Sequence, residues 1–317
     1  MTSAAAVDGA RPKLSYLIAA KNESRFLAAA LHSLVLQTNT RLEAIVVDDH
    51  STDPTVAIAE AFARHYPWIQ VCRSPGRGKV AAYNEAFRRS SGELIAFLGA
   101  DDELPPDSTA ARVNAYARHL QQDRDRQQPA DAQELTQRPW LLRGRLQVIS
   151  YNRQLSGRVL PRSARRSNPS GGACTFNRAF AEHLFPIPDT LPSEDAWLAL
   201  CCESLLGQWQ GIPAVVLHYR IHEGNTVPRQ RAYAPFDAYL SARERAASLF
   251  LAQSGFMLAP HARAAVERLV EAYALRQQHQ SLRLLLLPGL PLRTRLRLLL
   301  QSSAWLYRLF LWMGRIS

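Results

Sequence analysis

The sequence predicts an α/β protein: a mostly parallel, right-handed doubly wound sheet flanked by helices, followed by a helical C-terminal extension. Three observations predict it. Between Leu14 and Leu98, short apolar runs alternate with stretches of helical periodicity and short joints, the signature of repeated βα units. Two of those runs close on adjacent carboxylates, Asp48-Asp49 and Asp101-Asp102, at the strand ends where open α/β sheets place ligands. Beyond Tyr233 the spacing is helical throughout.

The elements follow in order. Leu14 to Ala20 reads as a strand, succeeded by the polar joint Lys21-Asn22-Glu23-Ser24. Phe26, Leu27, Ala30, Leu31, Leu34 and Val35 then repeat at helical spacing. Leu42 to Val47 is a second apolar run, and Ser51-Thr52-Asp53-Pro54 starts a helix with a capping side chain before a first-turn proline. Ile69 to Cys72 is a third, short strand. Gly76-Arg77-Gly78-Lys79 leads into a helix carrying Val80, Tyr83 and Phe87, and Leu94 to Leu98 is the fourth strand. Gln121 to Pro139 is polar without apolar period and reads as an insertion between two halves. The second half starts with a strand near Leu146 to Ile149. It continues through a basic, Ser/Gly-rich loop (Arg162 to Gly172), a helix start at Ser193-Glu194-Asp195 and a strand from Ala214 to Tyr219. Helices are expected over Phe236 to Gln253 and His261 to Leu287. The expected division is a disordered leader (1–13), a first half (14–120), the polar insertion (121–139), a second half (140–232) and a helical region (233–317).

At 317 residues with 47% hydrophobic side chains, the chain can bury a full core. Its four cysteines, Cys72, Cys174, Cys201 and Cys202, form no CxxC pair; Cys201 and Cys202 fall in an apolar helical pattern and read as packed thiols in a reducing cytoplasm. Met1 to Lys13 lacks the basic start and apolar core of a signal peptide. The net charge of +11 suits an anionic partner. No zinc-finger, RNP or KH signature accompanies that charge, which disfavours nucleic acid.

Two adjacent acids repel one another unless a cation or a donor-bearing ligand offsets the charge. A divalent cation carrying a diphosphate does so, since hard cations take carboxylate and phosphate oxygens together. The structural alternative is that Asp102 or Asp107 caps the helix after Pro105-Pro106. No GxGxxG follows the first strand, and Gly78-Lys79 lacks the rest of a P-loop. Lys79 would supply positive charge beside a phosphate.

With these blocks in this order, the chain closely resembles the family 2 glycosyltransferases of GT-A fold. The resemblance rests on Ile18 to Glu23, Ile45 to Asp53, Tyr83-Asn84-Glu85-Ala86 and Phe97 to Asp102. It continues through Gly171-Gly172-Ala173, Glu194-Asp195 and Tyr219-Arg220-Ile221-His222, covering about residues 14 to 226. One departure stands out: Gly99 occupies the place of the first acid in the family's Asp-x-Asp, whose last acid is kept as Asp101.

The resemblance implies a Rossmann-like GT-A sheet and an inverting, metal-dependent glycosyl transfer from a nucleotide sugar, UDP- or dTDP-linked. The acceptor would be a glycan or a lipid-linked hydroxyl in cell-surface glycan or polysaccharide synthesis. It assigns nucleotide-sugar contacts to Ala20, Asn22, Glu23, Asp49, Lys79 and Asp101, and Mg²⁺ or Mn²⁺ to Asp101, Asp102 and His222, although His222 could instead orient a loop. It assigns acceptor contacts to Gly172, Glu194 and Arg220. Asp195 is the implied base, since an acceptor hydroxyl needs a carboxylate within reach to take its proton; the alternative is that Glu194 and Asp195 merely favour a helix N-terminus. Arg162, Arg165 and Arg166 hint at an anionic acceptor. Two other classes are weighed: a nucleotide-sugar-binding protein that has lost catalysis, suggested by Gly99, and a nucleotidyltransferase, which would carry a basic glycine-rich loop where Ala20 to Glu23 stands.

The stretch from Pro291 to Ser317 interleaves Arg293, Arg295, Arg297, Arg308 and Arg315 with Trp305, Tyr307, Phe310 and Trp312. Its uncharged stretch is too short to span a bilayer. It fits either a helix on an anionic membrane surface, placing the protein at the inner face of the cell membrane, or an ordinary helix packed on the domain.

Overall fold

Unbroken apolar runs become the centre of the sheet. In the computed structural model, β1 (Leu14–Ala20) pairs in parallel with β2 (Leu42–Asp48) on one side and β4 (Leu94–Phe97) on the other. Beyond β2 lies β3 (Ile69–Arg73). The crossovers are α1 (Leu27–Val35), α2 (Thr55–His65) and α3 (Lys79–Arg89). All of β2 and β4 is buried, as strands covered on both faces must be, whereas edge strand β3 buries only Ile69. The described residues are 12–126, 136–161, 171–205, 209–223, 232–253 and 258–316. The leader up to Arg11, part of the polar stretch (127–135) and Arg162, Arg165 and Arg166 lie outside them.

After α4 (Ser108–Arg126), the sheet continues through β5 (Leu141–Ser150), β6 (Val159–Leu160), β7 (Cys174–Asn177) and, following α5 (Arg178–Leu184), β8 (Gln210–Ile221). The order is β3-β2-β1-β4-β7-β5-β6, with β8 also on β5. β7 is antiparallel to both β4 and β5, and β5 runs parallel to β8.

Four boundaries differ from expectation. Strand β5 starts at Leu141, because Arg143-Gly144-Arg145 interrupts the apolar pattern without ending the strand, and β8 starts at Gln210, four residues before the expected Ala214. Buried Arg143 lies 4.2 Å over the Trp209 ring, and a Cβ on Gly144 would meet Val216 Cγ2 at 2.2 Å. Helix α4 runs to Arg126, into the expected insertion; its solvated end gains a Gln121–Asp125 bond of 2.9 Å one turn apart. The helix expected over His261 to Leu287 is broken into α8 (Pro260–Gln277) and α9 (Ser281–Leu286), with His279 between them at φ 56°.

The sheet belongs to one compact unit, Met1–Asp189 with Leu206–Glu223. Its core includes Tyr16, Ile18, Leu31, Val46, Val113 and Tyr116. Within it Arg112 of α4 is fully buried and donates to five oxygens: Ser108 Oγ, Cys174 O, Thr175 Oγ1, Gly172 O and Val216 O, at 2.5 to 3.2 Å. One cation thus ties α4 to β7, to β8 and to the turn Gly171–Ala173. Arg112→Met should destabilise this unit by about 2–4 kcal/mol, because the buried acceptors stay behind without their donor. Urea unfolding checks this; an unchanged midpoint would mean that loss of a desolvated charge offsets the loss of the bonds.

The other unit, Thr190–Leu205 with Gly224–Ser317, is helical. It contains α6 (Asp195–Leu205), α7 (Tyr233–Ala252), α8, α9, α10 (Leu292–Leu300) and α11 (Ala304–Ile316). The sequence division places α6 with the preceding strands. Here Trp197 packs edge-on against Phe250 of α7 at 5.3 Å, which joins α6 to the C-terminal helices. Cys201 and Cys202 are buried on α6, as their apolar setting implies. Arg276 of α8 reaches Glu244 at 2.6 Å and Asp237 at 2.5 Å on α7.

Candidate active site at the strand ends

Local polar bonds join the ends of β1 and β2. The Asp49 N–H donates to Ala20 O at 2.8 Å. Asn22 stands in the left-handed region (φ 55°), which asparagine tolerates. Its N–H donates to Ser51 Oγ at 2.9 Å, and its side-chain carbonyl accepts from the Thr52 N–H at 2.8 Å. The Asp49 carboxylate is buried, accepts from the Gly78 N–H at 2.9 Å and lies 3.3 Å from Lys21 Nζ. Asn22 and Asp49 therefore shape the two loops, the second of which opens α3 at Lys79.

A long-range contact completes the site. Past β4, Glu103 exchanges two backbone hydrogen bonds with His218 of β8, at 2.8 and 3.1 Å. This sets the end of β8 against the acids. The Arg220 N–H donates to Asp102 Oδ1 and its Nε to the Asp101 carbonyl, each at 2.8 Å, while its guanidinium pairs with the Glu103 carboxylate. His222 Nε2 lies 3.0 Å from Asp101 Oδ2. The Phe26 ring sits 4.6 Å from the His222 ring and 4.9 Å from the Arg220 guanidinium, fixing both planes.

Negative charge is concentrated here. Burial, then the charge of Asp101, pushes Asp102 well above the usual carboxylate range, against the pull of the Arg220 N–H and of Lys79. Burial, then Asp101 and Asp53, pushes Glu23 up to about 7. Gly99 explains how the acids fit. A Cβ there would lie 2.7 Å from Asp102 Oδ2 and 2.8 Å from Asp101 Oδ1, so the two carboxylates occupy the space a side chain at 99 would need.

Such a set suits a cation. Asp101 and His222 offer a carboxylate oxygen and an imidazole nitrogen, both partly accessible. Among the described residues no group of three or more His, Cys, Asp or Glu is arranged to hold a metal. Two protein ligands fit a hard divalent ion that draws its remaining oxygens from phosphate and water. Asp102 is buried and bonded to the β8 backbone, one layer behind Asp101.

The sheet unit thus brings together Ala20, Asn22, Glu23, Asp49, Lys79, Asp101, Asp102, Arg220 and His222. Gly172 lies in the same unit, its carbonyl held by Arg112 and its Cα against Leu217, where a Cβ would meet Cδ2 at 2.8 Å. Glu194 and Asp195 belong to the helical unit. Glu194 is buried and its backbone carbonyl accepts the Leu198 N–H at 2.8 Å; Asp195, partly exposed, opens α6. Phe26, Glu103 and Arg112 were not legible as site residues. Glu103 adjoins the acid pair, which is a usable signal; Phe26 and Arg112 sit in ordinary helical patterns.

A family model described as glycosyl transferase family 2 matches residues 15–181, from β1 into α5. The chain belongs to that family. Among individual relatives, it is 26% identical over 225 residues to an uncharacterised glycosyltransferase of Nostoc sp. strain PCC 7120, covering 67% of this chain and 66% of that one. Across three curated relatives the matched stretch spans 27% to 66% of the relative's own length. Two solved structures share the fold. The crystal structure of S. aureus TarS 1–349 with UDP-GlcNAc has a TM-score of 0.55 at 17% identity, over 92% of this chain and 81% of that one. The mannosyltransferase PcManGT of Pyrobaculum calidifontis, with GDP-Man and Mn²⁺, has 0.54 at 19%, over 90% and 78%. This family 2 member therefore has the expected GT-A fold: a mostly parallel sheet flanked by helices, with C-terminal helices added.

Proposed function

We propose that this glycosyltransferase moves a sugar, with inversion, from a UDP- or dTDP-linked donor to a hydroxyl of a glycan or lipid-linked acceptor in cell-surface glycan or polysaccharide synthesis. The observation that carries the reading is the convergence of Glu23, Lys79, Asp101, Asp102, Arg220 and His222 at the ends of β1, β4 and β8. Nucleotide sugars and Mn²⁺ in the named structures of similar fold support the substrate class and the metal.

Asp49 and Glu23 hold the nucleoside, with Ala20 and Asn22 shaping the loop around it, and Lys79 faces the phosphates. Asp101 and His222 hold Mg²⁺ or Mn²⁺, which when bound neutralises the leaving diphosphate. The resemblance assigns Asp102 to the metal and Arg220 to the acceptor; the Arg220 N–H bond to Asp102 and the Arg220 Nε bond to the Asp101 carbonyl make them positioning residues for Asp101 in this reading. Gly172 and Glu194 line the acceptor side, and Asp195 takes the acceptor proton as the hydroxyl attacks the anomeric carbon. A single displacement of this kind inverts that carbon.

Nucleotide release from a panel of sugar nucleotides, with Mg²⁺, with Mn²⁺ and with EDTA, tests the reading. One uridine or thymidine donor should be turned over in metal and lose nearly all turnover in EDTA. Equal rates in EDTA would remove the metal from the proposal, and tight donor binding without turnover on any acceptor would favour the non-catalytic alternative.

A further inference from the structure

Three consecutive helices of the C-terminal unit each turn two or three apolar side chains outward. On α9, Leu284 is buried while Leu282 and Leu286, one turn apart, are 70% and 68% exposed. On α10, Leu298 is buried while Leu292 and Leu296 are exposed. On α11, Tyr307 is buried and stacks on Phe236 of α7 at 4.2 Å; Trp305, Leu309 and Trp312 share the open face, the tryptophans 71% and 61% exposed. Seven of the ten exposed large hydrophobic side chains among the described residues fall between positions 282 and 312.

Charge decides what covers this surface. No Asp or Glu occurs after Glu271, whereas Arg283, Arg293, Arg297 and Arg308 are exposed among the outward apolar residues. Helix faces that are apolar and carry only positive charges of their own disfavour a second copy of themselves and match an anionic, partly apolar plane. Arginines beside tryptophans and leucines on short amphipathic helices have the composition that settles at the headgroup–acyl boundary. The 13 residues of α11 extend about 20 Å, less than a bilayer's hydrocarbon thickness. Among the described residues no helix is long and apolar enough to cross a membrane.

We propose that the outward faces of α9, α10 and α11 dock the protein on an anionic lipid bilayer, with Trp305 and Trp312 inserting and Arg293, Arg297 and Arg308 engaging lipid headgroups. This goes beyond sugar transfer, and its test uses lipid alone. The full-length chain is sedimented with phosphatidylcholine vesicles, with and without phosphatidylglycerol. Wild type should partition onto the anionic vesicles only, less so in high salt. Trp305→Ser with Trp312→Ser should lower partition at least ~10-fold, and each of Arg293→Gln, Arg297→Gln and Arg308→Gln by about fivefold. All variants should keep the wild-type unfolding midpoint, since these side chains are exposed. Vesicle binding that ignores lipid charge, or that the variants retain in full, overturns the proposal. So does a wild-type dimer in sedimentation equilibrium that the tryptophan variant dissociates, which would assign the surface to a second copy.

Discussion

Replacing Asp195 by asparagine is expected to lower sugar transfer by ~10² or more while leaving donor binding nearly intact. Asparagine has almost the same shape and still suits the start of α6, so the helix should form and the midpoint of thermal unfolding should hold. What the change removes is a basic oxygen for the acceptor proton. Asp195 lies in the helical unit, whereas Glu23, Asp49, Lys79 and Asp101 all lie in the sheet unit, so the donor contacts are not altered directly. Transfer to a glycan acceptor and nucleotide affinity by calorimetry should therefore separate. If both fall together, Asp195 supports the helix start and the base must be sought elsewhere.

Asp101→Asn is expected to cost ~10² or more in turnover, through lost affinity for the cation beside the diphosphate. Asp101, whose Oδ2 lies 3.0 Å from His222 Nε2, is the partly accessible acid of the pair, while Asp102 is buried and bonded to the Arg220 N–H. Loss of this charge should also relieve Glu23, which Asp101 helps to raise, so its pKa should drop from about 7 toward the ordinary carboxylate value. A titration of rate against Mn²⁺ tells metal loss from misfolding: the variant's curve should shift to higher metal and recover part of the rate. Unchanged turnover at low metal would remove Asp101 from the cation site.

Much of the fold was legible because its centre is chemically simple. Strands β1, β2 and β4 are covered on both faces, so their burial is written as uninterrupted apolar runs, and a polar joint marks each end. Strands β5 and β8 were harder to delimit. Arg143 stays inside its strand because its guanidinium finds the Trp209 ring, a partner far along the chain that no local window contains. The broken helix at His279 was likewise hidden, since nothing in the local spacing of Gln277 to Ser281 demands a left-handed residue.

By itself the sequence determined the chemistry available: acids at the ends of parallel strands, a lysine opening α3, and the ordered blocks that mark family 2. These are local patterns, set by burial and by which residues end a strand. Only the tertiary structure decided how they are used. The Glu103–His218 bridge places Arg220 and His222 against acids more than a hundred positions earlier in the chain (118 and 121 residues apart), dividing Asp101 from Asp102 into an accessible acid and a buried one. Gly99 reads in sequence as a missing acid; in space it is the vacancy that two carboxylates fill. Asn22 reads as a ligand contact; in space its backbone N–H donates to Ser51 Oγ and its side-chain carbonyl accepts from the Thr52 N–H, so it also shapes the loop. Such pairings depend on which distant strands lie side by side, and that is settled by the packing of the whole sheet.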